Sequence, residues 1–293
     1  ERYPMARVTP DQIRQMKVRG ERIPMLTAYD YPTASILDSV GVPLLLVGDT
    51  LGMVIQGNDS TLPVTVDDII YHTRAVLRGA KHALVIADMP FGSFQVSPEE
   101  TMRNAARIMK ESGAQAVKLE GGVRVAASVR AMVDAGIPVM GHVGLTPQSV
   151  NVFGGFKVQG KTERSARALL ADVAALEEAG VFAVVLELVP SELSRLITER
   201  FSVPTIGIGA GPYCDGEVQV IHDVMGLFPD FTPRHTKRYA DLGAALRTGV
   251  EQYVREVRDR SFPTDAQSAP IDAGIIERLR QEAEKPGAES DKS

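Results

Sequence analysis

The chain has 293 residues, of which 44% are hydrophobic and 24% charged, with a formal net charge of −5 and a pI near 5.6. This composition is typical of a globular protein with a sizeable core, and it supplies no positive field that would gather nucleic acid or anionic lipid. The single cysteine, Cys214, excludes an intramolecular disulfide and fits a reducing cytoplasm.

No apolar run approaches the roughly 20 residues of a membrane span. The first residues are charged and lack the apolar stretch of a secretory signal, so we expect neither membrane insertion nor secretion.

Short apolar runs alternate with longer helical patterns along the chain, which is typical of βαβ units around a parallel sheet. Periodicity alone does not distinguish a barrel from an open sheet, but unit number and chain length favour a (β/α)₈ TIM barrel. The predicted strands are Met25–Ala28, Leu44–Val47, Leu84–Ala87, Ala116–Leu119, Val139–His142, Ala183–Leu186, Thr205–Ile208 and Val218–His222.

The helix boundaries carry local signals. Gly113 and Gly180 are predicted to end helices in the left-handed conformation just before a strand. Ser97 and Thr162 are predicted to cap the helices that follow them. We expect one catalytic domain over residues 1–262, followed by a tail over 263–293 that is partly disordered, with a helix near Ile275–Lys285.

Two predicted connections, 49–67 and 143–161, are much longer than ordinary βα loops. Both follow strands on the side where barrels build their sites, so we expect lids or binding loops there, with plain surface insertions as the alternative. The glycine-rich run 207–211 does not open a helix, so we interpret it as a close-approach loop and not as a dinucleotide-binding motif.

Ionisable residues end several consecutive predicted strands. Each alone has an ordinary structural explanation, such as a helix cap or a solvated loop residue. Their repetition at one end of a parallel barrel predicts a shared site instead. The residues are Asp49, Asp88, Lys118, Glu120, His142 and Glu187.

Asp49, Asp88 and Glu120 offer hard oxygen ligands, which favour Mg²⁺ over zinc. The alternative is a metal-free cluster of these acids with Lys118. Lys118 and Glu120 are two apart on a strand and therefore face the same side. Lys118 is predicted to bind a substrate carboxylate, or else to pair with Glu120.

His142 ends an apolar strand and is predicted to hydrogen-bond a substrate oxygen, although an ordinary core histidine is the alternative. Glu187 follows six apolar residues. Because apolar surroundings disfavour the charged form of a carboxyl group, Glu187 is the predicted general base. The alternative is a glutamate that interacts with the dipole of the following helix.

Five segments give the sequence a close resemblance to the ketopantoate hydroxymethyltransferase family, over roughly Thr9 to Val254. The resemblance implies a (β/α)₈ barrel of the phosphoenolpyruvate/pyruvate type. It also implies Mg²⁺-dependent hydroxymethyl transfer from 5,10-methylenetetrahydrofolate to 3-methyl-2-oxobutanoate, giving 2-dehydropantoate in pantothenate biosynthesis. The segments are Val47–Met53, Ala87–Phe91, Val117–Gly122, Gly141–Gln148 and Glu187–Pro190.

By matching position, the resemblance implies that Asp49 and Asp88 hold the metal and contact the substrate, while Glu120 completes the metal surroundings. It implies that Glu187 removes the C3 proton and that the 2-oxo acid is bound by Thr50, Lys118 and His142. It further implies a homo-oligomer, a decamer of two stacked pentamers, whereas the folate-binding residues stay unassigned. A Mg²⁺-dependent 2-oxo acid lyase of the same barrel type and a non-catalytic barrel scaffold remain as alternatives.

Overall fold

Eight parallel strands close into a barrel in the computed structural model, which describes residues 7–228 and 232–284. Each strand pairs with the next along the chain, and β8 returns to pair with β1. The (β/α)₈ prediction is therefore confirmed. The strands are β1 Ile23–Thr27, β2 Leu44–Val47, β3 Leu84–Asp88, β4 Ala116–Glu120, β5 Val139–Gly144, β6 Ala183–Glu187, β7 Thr205–Ile208 and β8 Gly216–Gln219.

The eighth strand corrects one prediction. It spans Gly216–Gln219 and not Val218–His222, and His222 lies in a short helix. The apolar run after Val218 suggested a strand, but the chain enters the sheet earlier because Gly216 lets two backbones approach closely. A Cβ at Gly216 would collide with the carbonyl oxygen of Ile23 on β1.

Helices alternate with most of the strands along the barrel unit, and two further α-helices follow in the second part of the chain. The α-helices are α1 Pro10–Val18, α2 Tyr31–Ser39, α3 Leu51–Val54, α4 Val66–Gly79, α5 Pro98–Ser112, α6 Ala126–Asp134, α7 Val150–Phe153, α8 Glu163–Ala179, α9 Ser191–Arg200, α10 Ile221–Val224, α11 Leu242–Arg258 and α12 Ala273–Ala283. Short 3₁₀ helices span Val123–Val125, Pro147–Ser149 and Asp265–Gln267. No helix in the described residues is long and apolar enough to cross a membrane.

The predicted helix boundaries agree with the structure where local chemistry sets them. The hydroxyls of Ser97 and Thr162 accept backbone N–H groups at the starts of α5 and α8. Gly113 and Gly180 end the same two helices in the left-handed conformation. The long connections are partly helical, since 49–67 contains α3 and 143–161 contains α7.

Two apolar layers explain how the site is positioned. Alternate strand residues such as Leu44 and Ala116 fill the barrel interior, while Leu45 and Val117 pack under the surrounding helices. Because successive side chains of a strand alternate, residues 118 and 120 face the interior together with residue 116. Inside the barrel the side chains are apolar along most of each strand, and polar side chains lie at the carboxyl ends of the strands.

The chain divides into two compact units, Glu1–Ala240 and Asp241–Ser293. The second unit contains α11, one 3₁₀ helix and α12. The helix predicted near Ile275–Lys285 is α12, Ala273–Ala283, although Lys285 and the rest of the tail lie outside the described residues. The domain bounds predicted from the sequence stay a prediction.

Candidate active site

All seven residues singled out from the sequence line one cleft at the carboxyl ends of the barrel strands. Its volume, including the open mouth, is about 440 Å³. The cleft holds four carboxyl groups against one ammonium group, so its lining favours a cation or bound protons. The lining includes Asp49, Thr50, Asp88, Lys118, Glu120, His142 and Glu187.

Lys118 and Asp88 form a buried ion pair across neighbouring strands. They are register partners on β4 and β3, and Lys118 Nζ lies 2.9 Å from Asp88 Oδ1, with the two side chains only 5% and 2% exposed. Burial alone would lower the pKa of Lys118, but the charges of Asp88, Glu120 and Asp49 raise it. Lys118 is therefore a permanent cation at the floor of the cleft.

Asp49 follows β2 and lies beside this pair. Its backbone N–H donates to Asp88 Oδ2 at 3.2 Å, and its Oδ2 accepts the amide of Gln148 at 2.9 Å. Burial, together with the charge of Asp88, raises the pKa of Asp49 to about 7. The ionised carboxylate is thus held in surroundings that disfavour it.

Glu120 completes a group of three interior acids. Its Oε2 accepts the backbone N–H of Gln148 at 3.1 Å. Burial and then the charge of Asp49 raise the pKa of Glu120 well above its ordinary value. A divalent cation among these acids would relieve the repulsion that adds to the effect of burial on both pKa values.

The chemical type of the donor set fits Mg²⁺. No group of three or more His, Cys, Asp or Glu residues within the described ranges meets the spacing of a metal site. Mg²⁺ requires less, since it is usually held by one or two carboxylates, with waters and substrate oxygens completing its octahedron. Asp49 and Asp88, hydrogen-bonded neighbours with hard oxygen atoms, satisfy that requirement.

His142 links Lys118 to Glu187. Its Nδ1 lies 3.4 Å from Lys118 Nζ, and its Nε2 lies 3.1 Å from Glu187 Oε2, without an aligned hydrogen bond. Burial and the charge of Lys118 lower the pKa of His142. A neutral ring whose Nδ1 faces an ammonium carries its proton on Nε2, which faces Glu187 and the cleft.

Glu187 ends β6, and its side chain is 15% exposed. Its backbone pairs with Gly144 on β5 and Ile208 on β7, so the strand end that carries Glu187 is held on both sides. The surroundings are less apolar than the preceding sequence run suggested, because His142 lies in contact with the carboxylate.

Gln148 is a site residue that the sequence reasoning did not single out. Its amide nitrogen donates to Asp49 and to the carbonyl of Met89 at 3.0 Å, and its amide oxygen accepts from Gln95 at 2.9 Å. Through its backbone it also holds Glu120. The residue was visible only as the last position of the segment Gly141–Gln148, because a neutral amide gives no ionisable signal.

Comparison with protein families matches residues 7–265 to the family described as ketopantoate hydroxymethyltransferase. A 3-methyl-2-oxobutanoate hydroxymethyltransferase of Dehalococcoides mccartyi is 57% identical over 275 residues, covering 94% of this chain and 98% of the relative. One of the same name from Chloroflexus aurantiacus is 57% identical over 266 residues, covering 91% and 94%.

Solved structures support the fold at lower identity. A phosphonopyruvate hydrolase is similar with a TM-score of 0.59 and 14% identity, covering 95% of this chain and 96% of the other. A 2,3-dimethylmalate lyase, described as a member of the PEP mutase/isocitrate lyase superfamily, has a TM-score of 0.55 and 18% identity, covering 94% and 98%. These likenesses show a shared barrel fold.

Proposed function

The chain belongs to the ketopantoate hydroxymethyltransferase family, and from this premise we propose that it transfers a hydroxymethyl group from 5,10-methylenetetrahydrofolate to 3-methyl-2-oxobutanoate. The products are 2-dehydropantoate and tetrahydrofolate, with one water consumed. The observation that carries the proposal is the single cleft in which three interior acids, Lys118, His142 and Glu187 meet.

Asp49 and Asp88 would hold Mg²⁺, with Glu120 completing its surroundings. A bound Mg²⁺ supplies Lewis-acid stabilisation of the negative charge that forms on the ketone oxygen when the neighbouring carbon loses a proton. Asp88 and Lys118 are already fixed by their ion pair, and Gln148 fixes Asp49, so these groups need little reorganisation on substrate binding.

The 2-oxo acid would be bound by the polar floor of the cleft. Lys118 offers a permanent positive charge to the substrate carboxylate, and Thr50 lines the same cleft. His142 lines the cleft, and its Nε2, a buried nitrogen without a hydrogen-bond partner, would donate to a substrate oxygen.

Glu187 would remove the C3 proton. Its carboxylate lines the cleft, with Oε2 3.1 Å from Nε2 of His142. For the atoms to balance, water adds to the methylene carbon of the folate donor and both bonds from that carbon to folate nitrogens break, which yields tetrahydrofolate and formaldehyde. The carbanion then adds to the formaldehyde carbon, and the formaldehyde oxygen takes up a proton to become the new hydroxyl group.

A turnover assay tests the proposal. Purified protein with Mg²⁺, 3-methyl-2-oxobutanoate and 5,10-methylenetetrahydrofolate should form 2-dehydropantoate, and omission of the folate should stop it. Cleavage of 2-oxo acid substrates without folate would support the lyase alternative, and no turnover of either kind would support a scaffold.

We further propose a cytoplasmic homo-oligomer, with a decamer as the state implied by the family resemblance. The acidic pI and single cysteine support the location. Sedimentation velocity at micromolar concentration tests the assembly, since a ten-subunit particle is easily separated from a monomer or dimer.

A further inference from the structure

A basic segment lies at the rim of the cleft. Residues 232–240, which we call the rim segment, include Arg234, His235, Lys237 and Arg238 within five consecutive positions. The chain as a whole is acidic, so this local concentration of positive charge departs from its composition.

Hydrogen bonds attach the rim segment to the wall of the cleft. Thr236 Oγ1 donates to Gln219 Oε1 at 2.7 Å, and Gln219 Nε2 lies 3.4 Å from the carbonyl oxygen of His235. Gln219 is itself a lining residue at the end of β8. The segment therefore borders the opening on the β8 side.

The rim segment also lies beside the end of β7. A Cβ built on Gly209, directly after β7, would lie 3.4 Å from the ring of His235. Ile208, the residue before Gly209, is the register partner of Glu187. The rim segment thus lies next to the wall that carries the proposed base.

The charged residues of the rim segment form two sets: an inner set, His235 and Arg238, which is partly buried, and an outer set, which is exposed. Burial lowers the pKa of His235, and the charges of Glu187 and Asp223 oppose this shift. Asp223 also faces Arg238. The outer set is Arg234 and Lys237, which are exposed and have no ion pair within the residues that the structure describes.

The chemistry of the donor matches this arrangement. In the proposed reaction the methylene carbon must reach the C3 atom that Glu187 deprotonates, so the remainder of the folate must extend out through the mouth. A folate ends in a glutamyl tail whose carboxylates are anionic at neutral pH. A tail that leaves over the β7–β8 wall would pass the rim segment, which carries two exposed cations, and Nζ of Lys237 lies 5.0 Å from the centre of the Tyr239 ring.

We infer that the rim segment is the binding site for the glutamyl tail of the folate donor, with Arg234 and Lys237 as the residues that bind its carboxylates. The inference rests on the proposed function. Exposed charge pairs contribute modestly one by one, and a chain of linked glutamates gains from several such contacts at once.

The test compares two donors, methylenetetrahydrofolate with one glutamate and with five. Wild-type protein should have the lower KM for the pentaglutamate, and this preference should shrink when salt rises from about 50 mM to about 300 mM. In the double variant Arg234→Gln/Lys237→Gln, the KM for the pentaglutamate should rise about three- to tenfold, and the rise for the monoglutamate should be smaller.

Arg130→Gln is the matched control, because Arg130 is an exposed arginine on α6 away from the rim, and its KM values should equal those of the wild type. An unchanged KM in the double variant, or an equal rise for both donors, would overturn the inference. Absence of 2-dehydropantoate formation by wild-type protein with either donor would instead refute the proposed function, so the two failures are distinct.

Discussion

Replacement of Asp49 by Asn should stabilise the metal-free protein while it abolishes activity. The side chain is buried beside Asp88, and its pKa is raised to about 7 from an ordinary value of 3.8. Asparagine keeps an oxygen that can accept the amide of Gln148 and removes the charge that this pocket disfavours.

The magnitude follows from linkage between protonation and folding. Each tenfold change in a protonation equilibrium corresponds to about 1.4 kcal/mol, so the rise in pKa from 3.8 to about 7 means that the ionised Asp49 costs the native state at most about 4.5 kcal/mol. Because Lys118 and the other acids relax when one charge is removed, we expect Asp49→Asn to add about 2 to 3 kcal/mol to the free energy of unfolding at pH 8.

Because the pKa of Asp49 is raised in the native state, the pH range over which this residue changes stability is also defined. A carboxyl group with a raised pKa binds more protons in the native than in the unfolded state between about pH 4 and pH 7. Its contribution is therefore fully present below about pH 4 and is lost as the pH rises through about 7. The variant should show a flatter fall in stability over that window.

Urea unfolding in EDTA at pH 5, 6, 7 and 8 measures this directly, with Asp67→Asn as a control at an exposed carboxyl group. If Asp49→Asn is less stable than wild type at pH 8, the account of Asp49 as an electrostatically disfavoured residue is refuted.

Three further substitutions address the remaining parts of the site. Glu187→Gln should lower turnover at least about 100-fold with an unchanged circular dichroism spectrum, and near-normal rates would remove Glu187 as the base. Asp88→Ala should raise the Mg²⁺ concentration needed for half-maximal activity and leave Lys118 without its buried partner, whereas an unchanged Mg²⁺ titration would count against Asp88 as a ligand. Gln148→Leu should cost about 2 to 3 kcal/mol in urea unfolding, because Asp49 and a backbone carbonyl lose a buried donor, and a loss below about 0.5 kcal/mol would contradict that bonding pattern.

The sequence predicted the parts of the fold that local chemistry controls. Strand alternation alone was enough to place Lys118 and Glu120 on one face, because the side-chain period of a strand is fixed by the backbone. The caps at Ser97 and Thr162 were equally predictable, since each depends on residues within one helical turn.

Non-local contacts explain what the sequence did not predict. The early start of β8 depends on a close approach between Gly216 and Ile23 on β1, two residues that lie far apart in the sequence. Gln148 acquires its role only when three strand ends bring Asp49, Met89 and Glu120 to it. The position of the rim segment likewise depends on its bonds to Gln219.

The central claim is that the interior acids and Glu187 together allow a divalent cation to promote loss of the C3 proton. Proton NMR of 3-methyl-2-oxobutanoate in D₂O, without folate, tests it most directly. The account predicts enzyme-dependent exchange of the C3 proton that requires Mg²⁺, stops on addition of EDTA and is lost in Glu187→Gln. Exchange that proceeds equally without the metal, or in the Glu187→Gln protein, would contradict it.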